Sequence, residues 1–143
     1  MAESIWFKNY SIEDVNARGA KTLVEHLKIQ ITDIGISTLS ASMPVDHTTV
    51  QPARILHGGA SCVLAESLGS IAANMVIDTS KFIAVGQSIS ANHLRPGLEG
   101  EKVTGVARAL HLGRRSQIWD IDLFNEKEKM ICSSRLTMAI IEK

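Results

Sequence analysis

The spacing of apolar residues changes along this chain. Between 57 and 77, Ala60, Val63, Leu64, Leu68, Ile71, Ala72 and Met75 recur at three- and four-residue steps, which predicts one long helix. The same segment is rich in small residues, including Ser61, Ala65, Ser67, Gly69 and Ala73. Neighbours can approach such a helix closely on several sides, as a surrounding sheet would. Past residue 80 the step shortens to two. Segments 82–92, 102–111, 116–124 and 130–141 predict strands, with turns at Pro96-Gly97, Gly113 and Asn125-Glu126. The last strand alternates most clearly, with Leu136, Met138 and Ile140 on one face and Arg135, Thr137 and Ala139 on the other.

Ahead of the long helix, Ser11 followed by Asp14 reads as a helix cap with an acidic first turn. A short helix is expected over 11–18, stopped by Gly19, with a further turn over 22–26. Strands follow over 27–34 and 37–43, and 45–56 is an irregular connection containing Pro52. Helix, two strands, long helix, four strands is an α+β order with an antiparallel sheet rather than alternating βαβ units.

Composition narrows the picture without redirecting it. A chain of 143 residues favours one domain spanning 1–143. Hydrophobic residues make up 45% and aromatics only 4%, so aliphatic and small side chains must fill the core. Fifteen basic and fifteen acidic residues cancel, and no Lys/Arg cluster suggests nucleic acid. No apolar run reaches the ~20 residues of a membrane span, and the N-terminus has no signal-peptide core. The expectation is a cytoplasmic protein with neither nucleic-acid nor membrane partners. Cys62 and Cys132 sit in apolar stretches and read as free thiols, with nothing nearby in sequence to activate Cys62 as a nucleophile. His26, His47, His57, His93 and His111 lack the spacing of metal ligands.

Candidate chemistry gathers around the start of the long helix. His57 is followed by Gly58 and Gly59, where unpaired backbone N–H groups and the positive end of the helix dipole meet. Glycine there lets a ligand reach the backbone, so the turn can hold a developing oxyanion. Two turns on, Glu66 is a carboxylate among Leu64, Ala65, Leu68 and Gly69, and Ser70 follows one turn later on the same face. A carboxylate able to attack or to activate water, near a backbone donor, is the minimum equipment for acyl transfer. Plainer readings stand beside it. Glu66 can lie on the polar side of the helix, His57 can only cap it, Gly58-Gly59 can be only a turn, and Gln51 can be an ordinary loop residue.

With its flanks, this stretch resembles the hotdog-fold thioesterases. Within them it is similar to the group acting on 1,4-dihydroxy-2-naphthoyl-CoA and to the enterobactin proofreading thioesterases. The resemblance is carried by Met43-Pro44-Val45-Asp46, Gln51-Pro52, Leu56-His57-Gly58-Gly59-Ala60-Ser61, Leu64-Ala65-Glu66-Ser67, Ala91-Asn92-His93-Leu94-Arg95, His111-Leu112-Gly113, Trp119 and Cys132-Ser133-Ser134-Arg135-Leu136-Thr137. It implies an antiparallel sheet wrapped around one long central helix. Subunits are expected to pair into a continuous sheet, as a homotetramer built as a dimer of dimers, with sites at the dimer interface.

Residue by residue, the resemblance implies Glu66 as catalytic carboxylate, Gly58 N–H as oxyanion donor and Gln51 as polar partner of the thioester carbonyl. It further implies Ser70 as an assisting hydroxyl and His57 as the residue shaping the turn. Glu66 is expected from one subunit, and Gln51, His57 and Gly58 from the other. Asn92, His93, Arg95, Gly113, Arg114, Arg115 and Ser116 are expected to meet the CoA part of an acyl- or aroyl-CoA substrate, although Arg114-Arg115 also reads as a solvated turn. No further cofactor and no metal is implied. Ala53-Arg54 replaces the Phe-Gly frequent in relatives, which bears on the acyl group. Carrier-protein-bound acyl groups, a hotdog hydratase or dehydratase, and a non-catalytic acyl-CoA sensor are the alternatives.

Overall fold

A computed structural model describes residues 2–143. The elements run α1 (Ile12–Ala17), α2 (Leu23–His26), β1 (Gln30–Ile34), β2 (Thr38–Pro44), α3 (Gly58–Val76), β3 (Phe82–His93), β4 (Lys102–Leu112), β5 (Ser116–Phe124) and β6 (Met130–Glu142). The strands form one antiparallel sheet in the order β1-β2-β4-β5-β6-β3. That sheet curves round α3, which packs against β2 to β6.

Strict alternation builds the concave face. Leu39, Ala41 and Met43 of β2, and Gln117, Trp119, Ile121 and Leu123 of β5, are buried, while their neighbours are half-exposed. On α3, Leu64, Ala65, Leu68, Ala72, Ala73 and Met75 complete the core. The helix's small residues do what their sizes suggest. A side chain at Gly69 would fall 2.6 Å from Leu136 and 3.0 Å from Ile121, so the sheet comes close to the helix backbone here. By length and hydropathy α3 could cross a membrane; in this fold it is the central helix within the sheet.

The first predicted strand starts three residues late. Leu27 caps α2, Lys28 takes a left-handed φ of 57°, and Ile29 N–H returns to Val24 C=O at 2.9 Å. The turn therefore uses up 27–29 before β1 can begin. An N-terminal strap closes one end of the core. Trp6 stacks on Trp119 with centroids 6.4 Å apart, and Phe7 N–H satisfies the Met75 carbonyl in the last turn of α3 at 2.8 Å.

Candidate active site

The start of α3 is built around His57. Its Nδ1 accepts the Gly59 N–H at 2.8 Å, and its carbonyl accepts from Ala60 at 2.9 Å and Ser61 at 3.2 Å. Among the described residues, Gly58 is left as the first-turn N–H without a partner. His57 thus caps the helix and, by the same bonds, leaves one donor exposed at its positive end.

That donor opens into a cavity of about 460 Å³ lined by Gln51, Ile55, Gly58, Ser61, His93 and Arg95, among others. His93 lies over Gly58 so closely that a Cβ there would sit 2.9 Å from Nε2, which makes glycine the residue that fits. Gln51 is oriented by its own loop. Its Oε1 accepts the Ala53 N–H at 2.5 Å, leaving its amide N–H groups for the cavity. The loop is fastened by Arg54, which has a φ of 65° and grips Glu99 through two nitrogens at 2.9 and 2.6 Å. Glu99 in turn raises the Arg54 pKa, by hydrogen bonding first and charge second. The Arg54 charge is spent on Glu99, and Arg54 is not part of the cavity lining.

Glu66 sits elsewhere in the protomer. It is half-buried, and its carboxylate rests against Gly86 of β3 rather than in the Gly58 cavity. No hydrogen bond joins it to Ser70. Ser70 lines a second cavity of about 370 Å³ with Val15, Asn16, Val24, Ile31 and Ile71 between α3 and the N-terminal helices.

The expected CoA contacts divide three ways. His93 and Arg95 face the Gly58 cavity, and Arg95 donates to Met130 C=O at 2.8 Å. Asn92 projects from the opposite face of β3, beside Asp120, Asp122, Ser133 and Arg135. Gly113, Arg114 and Arg115 lie at the other end of α3 with Ile77 and Phe82, and Ser116 opens β5 beside them. Within one protomer, these three sets of residues cannot all meet a single ligand.

Burial pushes the Cys132 thiol up to about 11, with Cys62 and Asp122 adding to the shift, so it stays protonated in the core. Among the described residues no three His, Cys, Asp or Glu side chains could hold a metal. Gly86, Asn74 and the Arg54–Glu99 pair are not apparent in the sequence. The first reads as an ordinary strand glycine, and the other two depend on contacts made only in the fold.

The Thioesterase superfamily pattern matches residues 53–132, which include Gly58, Glu66 and His93. The chain is 48% identical to the 1,4-dihydroxy-2-naphthoyl-CoA hydrolase of Escherichia coli, covering 96% of this chain and 99% of that one. It is 45% identical to the proofreading thioesterase EntH of Cronobacter turicensis, over 96% and 98%. A mutant thioesterase from Pseudomonas aeruginosa superposes with a TM-score of 0.95 at 45% identity, over 98% of this chain and 100% of that one. A thioesterase from Haemophilus influenzae does so at 0.92 and 43%, over 96% and 95%. The sheet-wrapped helix is the hotdog fold. The chain belongs to the thioesterase superfamily, and it is an enzyme of thioester hydrolysis.

Proposed function

We propose that this thioesterase hydrolyses an aroyl- or acyl-CoA at a site shared by two subunits. Glu66 comes from one, and Gly58 N–H, Gln51 and His57 come from the other. The observation that carries this reading is the unpartnered Gly58 N–H, opening with Gln51 and His93 onto one cavity.

Distance supports the sharing. Eight residues of helix separate Gly58 from Glu66, about 12 Å of rise and roughly two and a quarter turns. An oxyanion donor must lie ~3 Å from the carbonyl oxygen and the attacking atom ~3–3.5 Å from its carbon. The two groups of one chain cannot serve one thioester. Antiparallel pairing of two β3 edges would set the His93 end of one chain beside the Phe82 end of its partner. The partner's Arg114 and Arg115 would arrive with it, which supports their expected role at the anionic end of CoA.

In the reaction, Glu66 takes a proton from water as hydroxide attacks the carbonyl carbon, or attacks that carbon itself and forms an anhydride that water opens. Either way Gly58 N–H holds the oxyanion, the C–S bond breaks, and the CoA thiolate leaves and is protonated. The cavity beside Ser70 is assigned to the acyl group. The Asn16 amide there is held by Ile31, at 2.8 Å to its N–H and 3.1 Å to its carbonyl. Asn74 is occupied by Ala84 and Ser70. Arg18, stacked over Tyr10, and Thr22, bonded to Gly19 C=O, lie at this cavity with Ser70, while Val15, Val24, Ile29, Ile31 and Ile71 make the rest of its wall aliphatic, which supports an aromatic or hydrocarbon acyl chain.

One steady-state experiment tests both parts. Wild type and Glu66→Gln are assayed on aroyl-CoA, medium-chain acyl-CoA and carrier-protein-bound acyl groups. Wild type should prefer the CoA esters. The variant should lose about 100-fold or more in kcat with substrate still bound. Near-normal kcat in the variant removes Glu66 from the mechanism, and a preference for the carrier-bound substrate moves the substrate class.

A further inference from the structure

Gly86 lies within β3 on a backbone that does not need glycine. Gly100 alone among the glycines is recorded with a positive φ, so conformational freedom does not explain Gly86. Glycine weakens a strand interior, so its presence calls for another reason such as close approach. Space supplies one. A Cβ at this position would lie 2.8 Å from Glu66 Oε1 and 3.4 Å from its Cδ.

Two further features shape the same spot. The β3–β6 register slips between Gly86 and Ser88, leaving Gln87 out of the ladder. Two turns of α3 beyond Glu66, Asn74 clamps the helix to the strand. It accepts the Ala84 N–H at 2.9 Å, donates to Ala84 C=O at 3.0 Å and also to Ser70 C=O at 2.9 Å. The clamp sets the height of α3 over β3 two residues from Gly86. Glu66 itself accepts no hydrogen bond from the described residues, so shape rather than bonding decides where its oxygens rest.

We propose that Gly86 is a positioning residue for Glu66. The missing side chain, with the adjoining bulge, forms a seat that lets the carboxylate lie against β3 at the open edge of the sheet. This rests on the reading of Glu66 as the reacting carboxylate. Any side chain at 86 would lift the carboxylate away from the strand. What moves is the free end of a flexible side chain, so folding is spared while the reacting oxygens are displaced.

The test is Gly86→Ala in the full chain, alone and combined with Glu66→Asp, whose shorter side chain need not meet the new methyl. Displacement of a reacting group by ~1 Å can cost about 100-fold. Gly86→Ala should therefore lower kcat by about that factor, with KM within about twofold and an unchanged urea midpoint. In the Glu66→Asp background the same alanine should cost less than about fivefold. Wild-type kcat in Gly86→Ala, an equal loss in both backgrounds, or a variant that fails to fold would each overturn the proposal. If Glu66→Gln is inactive while Gly86→Ala is normal, the seat is wrong and the carboxylate assignment stands. If Glu66→Gln is active, the assignment itself fails.

Discussion

His57 and Asp46 show how single side chains shape the two segments that meet at the cavity. By accepting the Gly59 N–H, His57 Nδ1 must be unprotonated, which fixes the ring tautomer and frees the neighbouring Gly58 donor. Asp46 organises the chain entering the Gln51 loop. One carboxylate oxygen accepts the Thr48 hydroxyl at 2.6 Å and the Thr48 N–H at 2.8 Å, with Lys28 at 3.4 Å from the other. Those bonds, the hydroxyl's first, pull its pKa from 3.8 down to about 2. A folded-state pKa below the unfolded one means the carboxylate adds stability above the unfolded value and loses it as pH falls through the folded value. The contribution is therefore full well above pH 3.8, is lost mainly between 3.8 and about 2, and vanishes only below that. Urea midpoints followed from pH 5 to pH 2 should fall more steeply in wild type than in Asp46→Asn. Parallel curves would show that Asp46 carries no such linkage.

At the scale of elements, α3 and its neighbours separate what a linear pattern can show from what it cannot. The three-and-four spacing of α3 and the alternation of β5 are local, and the observed elements match them within a residue or two. The wealth of small residues in α3 also translated directly into close sheet packing. Gly69 gives this a measurable consequence. Alanine in a helix interior is normally favoured over glycine by up to about 1 kcal/mol. Here the new methyl meets Leu136 and Ile121, both buried, and overpacking of that kind costs about 1–3 kcal/mol. Gly69→Ala should therefore lower stability by about 1 kcal/mol in chemical denaturation, against the helix-propensity trend. A stabilised variant would mean the sheet yields at that point.

Strand order was not legible in the same way. Asn92 and His93 are neighbours in sequence and lie on opposite faces of β3, as a period of two requires. The Arg114-Arg115 turn lies across the molecule from Arg95, because only strand pairing decides which ends of the sheet coincide. Gly86 could not be singled out from sequence, since its meaning depends on which helix residue lies above it.

At the scale of the whole molecule, the sheet ends in two unlike edges. β1 is five residues long and carries a register shift, whereas β3 is twelve residues long and leaves Ile83 and Val85 exposed. A long, apolar, unprotected edge invites strand pairing. A second copy would satisfy it antiparallel across a two-fold axis, and the proposed site needs that copy as well. Subunit mixing tests edge and site together. Glu66→Gln and Gln51→Ala homo-oligomers should each be nearly inactive. In a hybrid dimer with shared sites, one site collects both lesions and the other carries neither. Random reassortment of equal amounts makes about half the dimers hybrid, each with one intact site of two, so activity should recover to about one quarter of wild type. Sites confined to single chains would stay damaged in every pairing, and the mixture would remain as inactive as its components. Mixed without prior dissociation, the two proteins should gain activity only as fast as subunits exchange, which ties the recovery to the interface.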